Sequence, residues 1–184
     1  MRAHNSIAEI ELIQQCKDGS LKYQELLYKR FYGYAMGIGL RYSTNRDDAQ
    51  EVVNDAFIKV FNTINTYNTD RPFKAWLRRI VINTSIDRRR KDLKFQLHTD
   101  IDDAVHIGHN TTAVELLNAE DILKMMNMLP AIQRTIFNMY EIDGYNHDEI
   151  ADILSIPASS SRVYLSRAKE KLRKALTTES QNHE

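Results

Sequence analysis

The chain has 184 residues, 42% of them hydrophobic and 27% charged, and its 25 basic and 25 acidic residues give a formal net charge of zero. That supplies enough apolar material for one ordinary domain or two small ones, with the charge of a soluble protein. No apolar run approaches the roughly 20 residues that span a bilayer, the single Cys16 excludes a disulfide framework or a cysteine-based metal site, and acids stand where a signal peptide would carry its apolar core, which predicts a cytoplasmic chain.

In chain order, almost every periodic stretch reads as helix. Prolines stand only at Pro72, Pro130 and Pro157, and no run alternates apolar and polar residues over a strand's length. A first helix is predicted over residues 7–17, ended by Asp18-Gly19, with Cys16 an inert, partly buried thiol beside Leu12 and Ile13. Ser20 is placed to cap a second helix over Leu21–Tyr42, whose Leu27, Phe31, Tyr34 and Ile38 fall on one stripe. Asn45 is placed to cap a third, with Ala49, Val53, Ala56, Val60 and Ile64 inward. Its outward positions include Asp48, Glu51, Asn54, Asp55 and Lys59. An acidic stripe repels phosphate, so this face is either solvated or a docking surface for a basic protein partner.

Tyr67 to Pro72 reads as a loop, and a fourth helix follows over residues 73–94. Its packed side is Trp76, Leu77, Ile80, Val81 and Thr84. Arg79, Asn83, Asp87 and Arg90 recur at i, i+4, i+8 and i+11, one polar stripe on the other side. Nine Lys/Arg stand against two Asp between Arg71 and Lys94, a local excess of seven positive charges hidden by the neutral total. A positive groove beside a loop bearing Tyr67, Asn68 and Thr69 is how an unstacked base is held; a solvated helix end over a buried Trp is the plainer reading.

Periodicity fades from residue 95 to 118, where acids and small polar residues predict a linker between two domains. Helices are then expected over residues 119–129 and 131–142, split at Pro130 and followed by a turn at Asp143-Gly144, with a frayed tail from Thr177. Asn146 and Glu149 form an N-x-x-E capping box, Ser155-Ile156-Pro157 a turn, and a second helix carries Leu165, Ala168, Leu172 and Leu176 inward. Its outer face holds Arg162, Val163, Ser166, Arg167 and Glu170, with Ser159, Ser160 and Ser161 at its start, and six basic residues between Arg162 and Lys174 oppose one Glu. That is the pattern of a helix-turn-helix, whose second helix reads base edges through arginine while hydroxyls and free N–H groups hold phosphate. An α-hairpin with a solvated basic face has the same period.

Three motifs in order then resemble the extracytoplasmic-function (ECF) sigma factors of the sigma-70 family. Asp48-Ala-Gln-Glu-Val-Val-Asn-Asp-Ala-Phe57 is similar to the family's region 2.2, and Phe73, Trp76, Leu77, Ile80, Asn83 and Asp87 stand where region 2.4 has them. Leu129-Pro130, Arg134, Phe137, Gly144, Asn146, Glu149-Ile150-Ala151, Leu154, Ile156-Pro157 and Leu165–Lys169 are similar to region 4. The resemblance implies an all-α fold of two small helical domains, sigma domain 2 as a helical bundle over 7–94 and sigma domain 4 as a helix-turn-helix over 119–176, joined by an acidic linker over 95–118.

It implies a promoter-specificity subunit that binds RNA polymerase core, and no enzyme. Asp48, Glu51, Asn54, Asp55 and Phe57 would dock on the β′ clamp helices, with the β flap a further core contact. Tyr67, Asn68, Thr69, Arg71, Arg79, Asn83, Asp87, Arg88 and Arg90 would melt and read the −10 element. Ser159, Ser160, Arg162, Val163, Tyr164, Arg167 and Lys171 would read the −35 duplex. An anti-sigma factor is the other implied partner, without membrane insertion of this chain itself. No metal or cofactor is expected, since of the six histidines only His106 and His109 lie close together, in the linker. Asn54 stands where Gln is usual, Ser159-Ser160-Ser161 where Gly-Thr-Val is usual, and Tyr164 where a basic residue is common, so Ser161 puts a hydroxyl on the inner stripe. The competing reading is a stand-alone helix-turn-helix regulator with an N-terminal sensing or dimerisation domain; a dimer face should be apolar, whereas the third helix is acidic.

Overall fold

A computed structural model describes the backbone of residues 8–98 and 119–181 and the side chains of residues 8–89 and 122–176. The element order is α1 Glu9–Lys17, α2 Leu21–Tyr42, α3 Arg46–Thr63, a 3-10 turn Ile64–Thr66, α4 Phe73–His98, α5 Ala119–Asn127, α6 Ala131–Phe137, a π turn Asn138–Ile142, α7 His147–Leu154 and α8 Ala158–Gln181. Among the described residues every regular element is helical, as in the expected all-α class. The chain divides into two compact units, one within Met1–Arg88 and the other within Arg89–Glu184. Helix α4 continues to His98, past the point where the sequence periodicity fades, and α8 continues to Gln181 rather than fraying from Thr177. The predicted linker from residue 99 onward, with His106 and His109, lies outside the described residues.

The first unit is built on the apolar stripes. Leu12, Ile13 and Cys16 of α1, Leu27, Phe31 and Ile38 of α2, Ala49, Val53, Ala56 and Val60 of α3, and Leu77, Val81 and Ile82 of α4 are all buried. Each fully buried large aliphatic or Phe contributes about 1.5–3 kcal/mol against exposure, so these stripes fix which helix faces meet. Burial pushes the Cys16 thiol up to about 11, which keeps it an unreactive thiol at neutral pH. Gly39 lets α2 and α3 approach: a Cβ there would sit 3.2 Å from the Ala49 carbonyl oxygen, tighter than ordinary contact.

Helix ends divide into those their side chains cap and those they do not. Asn45 Oδ1 accepts from the Asp48 N–H at 2.8 Å, fixing the start of α3. Ser20 takes the N-cap position of α2, but its side chain makes no capping hydrogen bond. The expected capping box at α7 forms in full: Asn146 Oδ1 accepts from the Asp148 and Glu149 N–H groups at 2.9 Å, and Glu149 Oε2 accepts from the Asn146 N–H at 2.8 Å.

In the second unit, Met126, Leu129 and Ala168 form a cluster closed by Phe137 and Leu172. The helix predicted over residues 131–142 is continuous in backbone but widens into a π turn after Phe137, and the chain leaves it through Gly144 at φ +77°, a left-handed conformation suited to glycine.

Candidate polymerase-docking and nucleic-acid surfaces

On α3, the residues three and four apart that the sequence pointed to do share a surface. Glu51, Asn54 and Asp55 are exposed on one face. Their partners lie within the chain. The Arg88 guanidinium of α4 pairs with both acids, with Glu51 through Nη2 and with Asp55 through Nη1 at 3.1 Å. Asn54 Oδ1 accepts from the Tyr28 hydroxyl at 3.0 Å.

Two members of the expected docking set stand elsewhere. Asp48 is half-buried at the helix start, where its carboxylate accepts from the Thr44 hydroxyl at 3.1 Å and the Asn45 amide at 2.9 Å, so it serves the cap. Phe57 is 2% exposed, its ring edge-on to Tyr28 at 4.8 Å between centroids. It falls on the side of α3 shared by Val53 and Val60, and packing removes it from any partner's reach. Ile58 is instead the large apolar side chain exposed here, at 59%. It follows Asn54 by four residues, a spacing that could have revealed it.

The loop before α4 is anchored at both ends and open between. Tyr67 is 5% exposed. Its ring lies edge-on to Phe73 at 5.5 Å and against Trp76 at 5.0 Å, and its hydroxyl donates to the Arg71 carbonyl. A ring so enclosed cannot stack a base, which corrects the expectation that Tyr67 contacts DNA; its aromatic character serves the core. Asn68 Oδ1 accepts from the Asp70 N–H at 2.9 Å, an Asx turn, and Asn68, Thr69, Asp70 and Arg71 are all exposed.

Along α4, Arg79, Asn83 and Asp87 are exposed in one stripe, while Leu77, Val81 and Thr84 are buried and Trp76 and Ile80 half-buried, the division the period predicts. The far end of the stripe is tied down. Asp87 pairs with Lys59 of α3 at 3.3 Å, and Arg88 is held by Glu51 and Asp55. Arg88 therefore belongs to the acidic surface rather than to a free cationic groove. Arg90 lies on the helix, with its side chain outside the described residues.

In the second unit, Ser155 closes α7 in the left-handed region at φ 56° and Pro157 precedes α8. The outer face of α8 exposes Ser159, Arg162, Val163, Ser166 and Arg167, spaced 3, 4, 7 and 8 residues from the first. Val163 is 48% exposed, a free apolar contact among the arginines. Ser160, Tyr164 and Lys171 are half-buried, on the flank of that face. Two further cations are paired, Lys169 with Glu141 at 2.6 Å and Lys174 with Glu170 at 2.8 Å.

Ser161 faces inward, fully buried, and its hydroxyl lies 2.9 Å from His147 Nδ1 at the start of α7. The His147 ring stacks on Tyr140 at 4.5 Å. Burial, then the Arg162 charge, lowers the His147 pKa, so the ring is neutral at pH 7 and Nδ1 can accept the serine proton. The hydroxyl that breaks the apolar stripe thus ties the two helices of the pair together. Ser161→Ala should destabilise this unit by about 1 kcal/mol, because it orphans His147 Nδ1; denaturant unfolding of the second unit's signal checks this. Arg134 is also structural: 1% exposed and donating to Asn127 Oδ1, it is lowered to about 10 by burial and remains charged.

Comparison with known proteins bears on the whole arrangement. Residues 27–94 match the family model "Sigma-70 region 2" and residues 119–172 the model "Sigma-70, region 4". The chain is 27% identical over 171 residues to the ECF RNA polymerase sigma-E factor of Haemophilus influenzae, covering 86% of this chain and 90% of that one. It is 25% identical over 178 residues to the RNA polymerase sigma-H factor of Pseudomonas aeruginosa, covering 90% and 92%. In fold it is similar to the sigma factor RpoE solved in complex with the anti-sigma factor NepR from Bartonella quintana, with a TM-score of 0.51, 20% identity, and coverage of 83% and 96%. Among the described residues no helix is long and apolar enough to cross a membrane.

Proposed function

The chain belongs to the sigma-70 family, among its extracytoplasmic-function sigma factors, and from that premise we propose how its surfaces divide the work of starting transcription at a promoter. It binds RNA polymerase core and directs promoter-specific initiation, and the polymerase carries out all the chemistry. Glu51, Asn54 and Asp55, with Ile58 beside them, dock on the β′ clamp helices. The loop tip Asn68 to Arg71 and the stripe Arg79, Asn83 and Asp87 take the −10 element as a melted strand, with Arg90 continuing that stripe. Arg162, Val163 and Arg167 enter the major groove of the −35 element, Ser159 and Ser160 hold its phosphates, and Tyr164 and Lys171 border the contact. The β flap contacts the second domain. An anti-sigma factor holds the protein in check, and the site of action is the cytoplasm.

The observation that carries this reading is the exposed acidic and amide stripe of α3, in the same unit as the exposed loop tip. A stand-alone regulator would present an apolar dimer face there. An acidic stripe repels DNA and attracts a basic protein surface, which a polymerase-bound factor needs and a solitary DNA binder does not.

Run-off transcription with core enzyme, with and without the full chain, is the test. Start-site-specific transcripts are expected only with both components present, and little duplex binding by the chain alone. Tight sequence-specific duplex binding without polymerase, and no dependence of core initiation on the chain, would return the regulator reading.

A further inference from the structure

The loop that starts at Tyr67 is held by a helix far from it in sequence. The Tyr67 carbonyl oxygen accepts from Lys17 Nζ at 3.1 Å, a contact that spans 50 residues and is partly buried. The same ammonium stands 5.9 Å from the centre of the Tyr67 ring. Helix α1 packs against the 3-10 turn Ile64–Thr66 from which the loop departs, and the Glu9 charge, at the other end of α1, is felt at the Tyr67 hydroxyl after burial as a rise in its pKa. Residues 9–17 precede the segment 27–94 that matches sigma-70 region 2.

The chemistry of that contact matters because of where it falls. Tyr67 is the last anchored residue before the exposed stretch Asn68 to Arg71. Its ring is fixed by Phe73 and Trp76 and its hydroxyl holds the Arg71 carbonyl at the far end of the tip, but neither contact acts on the peptide that leaves Tyr67. Rotation of that peptide swings the tip. The Tyr67 carbonyl is the handle on that rotation, and a charge-assisted bond to a half-buried ammonium restrains it more strongly than a neutral donor would. The aromatic face below the ammonium adds a weaker attraction in the same place.

We infer that Lys17 is a positioning residue for the DNA-reading loop: its ammonium holds the Tyr67 carbonyl, and so sets the aim of the Asn68–Arg71 tip. The inference rests on the assignment of this loop to the −10 strand. Helix α1 is then a strut for promoter reading and touches no DNA itself.

The test uses the full chain assembled with core enzyme, on a forked fragment of a promoter found by run-off transcription, with its −10 segment single-stranded. Lys17→Met keeps the unbranched stem and a similar helix propensity but removes the ammonium, and Lys17→Arg restores a cationic donor. Lys17→Met should weaken binding of the forked fragment by about three- to tenfold, the range of one ordinary net hydrogen bond, with core affinity unchanged and the melting temperature lowered by only a few degrees. Lys17→Arg should recover most of the loss. Trp76, the only tryptophan, lies 5.0 Å from the Tyr67 ring, so its emission should shift in Lys17→Met and return in Lys17→Arg.

Asn68→Ala separates the possible failures. If it weakens forked binding while Lys17→Met does not, the positioning role is overturned and the −10 assignment stands. If neither variant weakens binding, the −10 assignment falls and takes the inference with it. A Lys17→Met protein that loses core affinity in step with DNA binding, or whose loss Lys17→Arg does not recover, would show Lys17 to be merely part of the fold, which also overturns the inference.

Discussion

Replacing Asp55 with lysine should weaken assembly with core polymerase by roughly 100-fold or more, enough to abolish run-off transcription at limiting protein, since reversed charges at an interface cost several kcal/mol and each decade of affinity is about 1.4 kcal/mol. The folded chain should survive the change. The Asp55 side chain is 51% exposed, and its partner Arg88 keeps Glu51 when Asp55 is gone. An exposed ion pair contributes about 0–1 kcal/mol, so the melting temperature should fall by only a few degrees for a domain of this size. Asp55→Asn, which removes the charge without reversing it, should show an intermediate loss of affinity. Both losses should shrink as salt is added, because the attraction between exposed charges is screened beyond about 10 Å at 0.1 M. A binding titration against core, paired with a thermal melt, checks both halves. An unchanged dissociation constant for Asp55→Lys would remove α3 from the docking surface, whatever the melt showed.

What the sequence revealed, and what it hid, follows from the range over which each feature is determined. The caps at Asn45 and Asn146 were legible because a capping hydrogen bond closes within three residues. The outer face of α8 was legible for the same reason: a period of 3.6 puts Arg162, Val163, Ser166 and Arg167 together whatever they pack against. Tyr67 and Phe57 were misplaced because an aromatic beside a polar stripe serves equally as contact or core. Only the neighbours Phe73, Trp76 and Tyr28, brought in from other helices, decide for core. Arg88 was read as part of a cationic patch because its acids lie 33 and 37 positions earlier, beyond any local pattern. Ser161 looked like a flaw in an apolar stripe until His147, on the preceding helix, supplied its partner. Asp48 is the instructive middle case. It stands in the family's docking motif, yet its nearest partners are the residues that start its own helix.

The same division between local face and distant partner governs the second large effect, at the surface proposed to read the −35 element. Arg162 and Arg167 are exposed on α8, whereas Lys169 and Lys174 on the same helix are paired with Glu141 and Glu170. Arg162→Ala with Arg167→Ala should lower −35-dependent transcription by about 100-fold, taking roughly 1–3 kcal/mol for each arginine that reads a base edge. Lys174→Ala should change it little, because Lys174 stands seven residues, about 10 Å, beyond Arg167 along α8, away from the helix start that meets the base edges. The two arginines can be told apart singly. One that reads guanine should relax preference at a single base position when changed to alanine, and lysine should restore it only in part, since an ammonium can reach both acceptors but lacks the rigid planar fork that fixes two parallel bonds. One that holds phosphate should weaken all sequences alike and lower the salt slope of binding by about 0.9. Holoenzyme binding to a set of −35 variants at several salt concentrations, with the −10 element constant, measures both quantities. Undiminished −35 preference in the double variant would mean that α8 does not lie in the groove, and that its basic face is solvated.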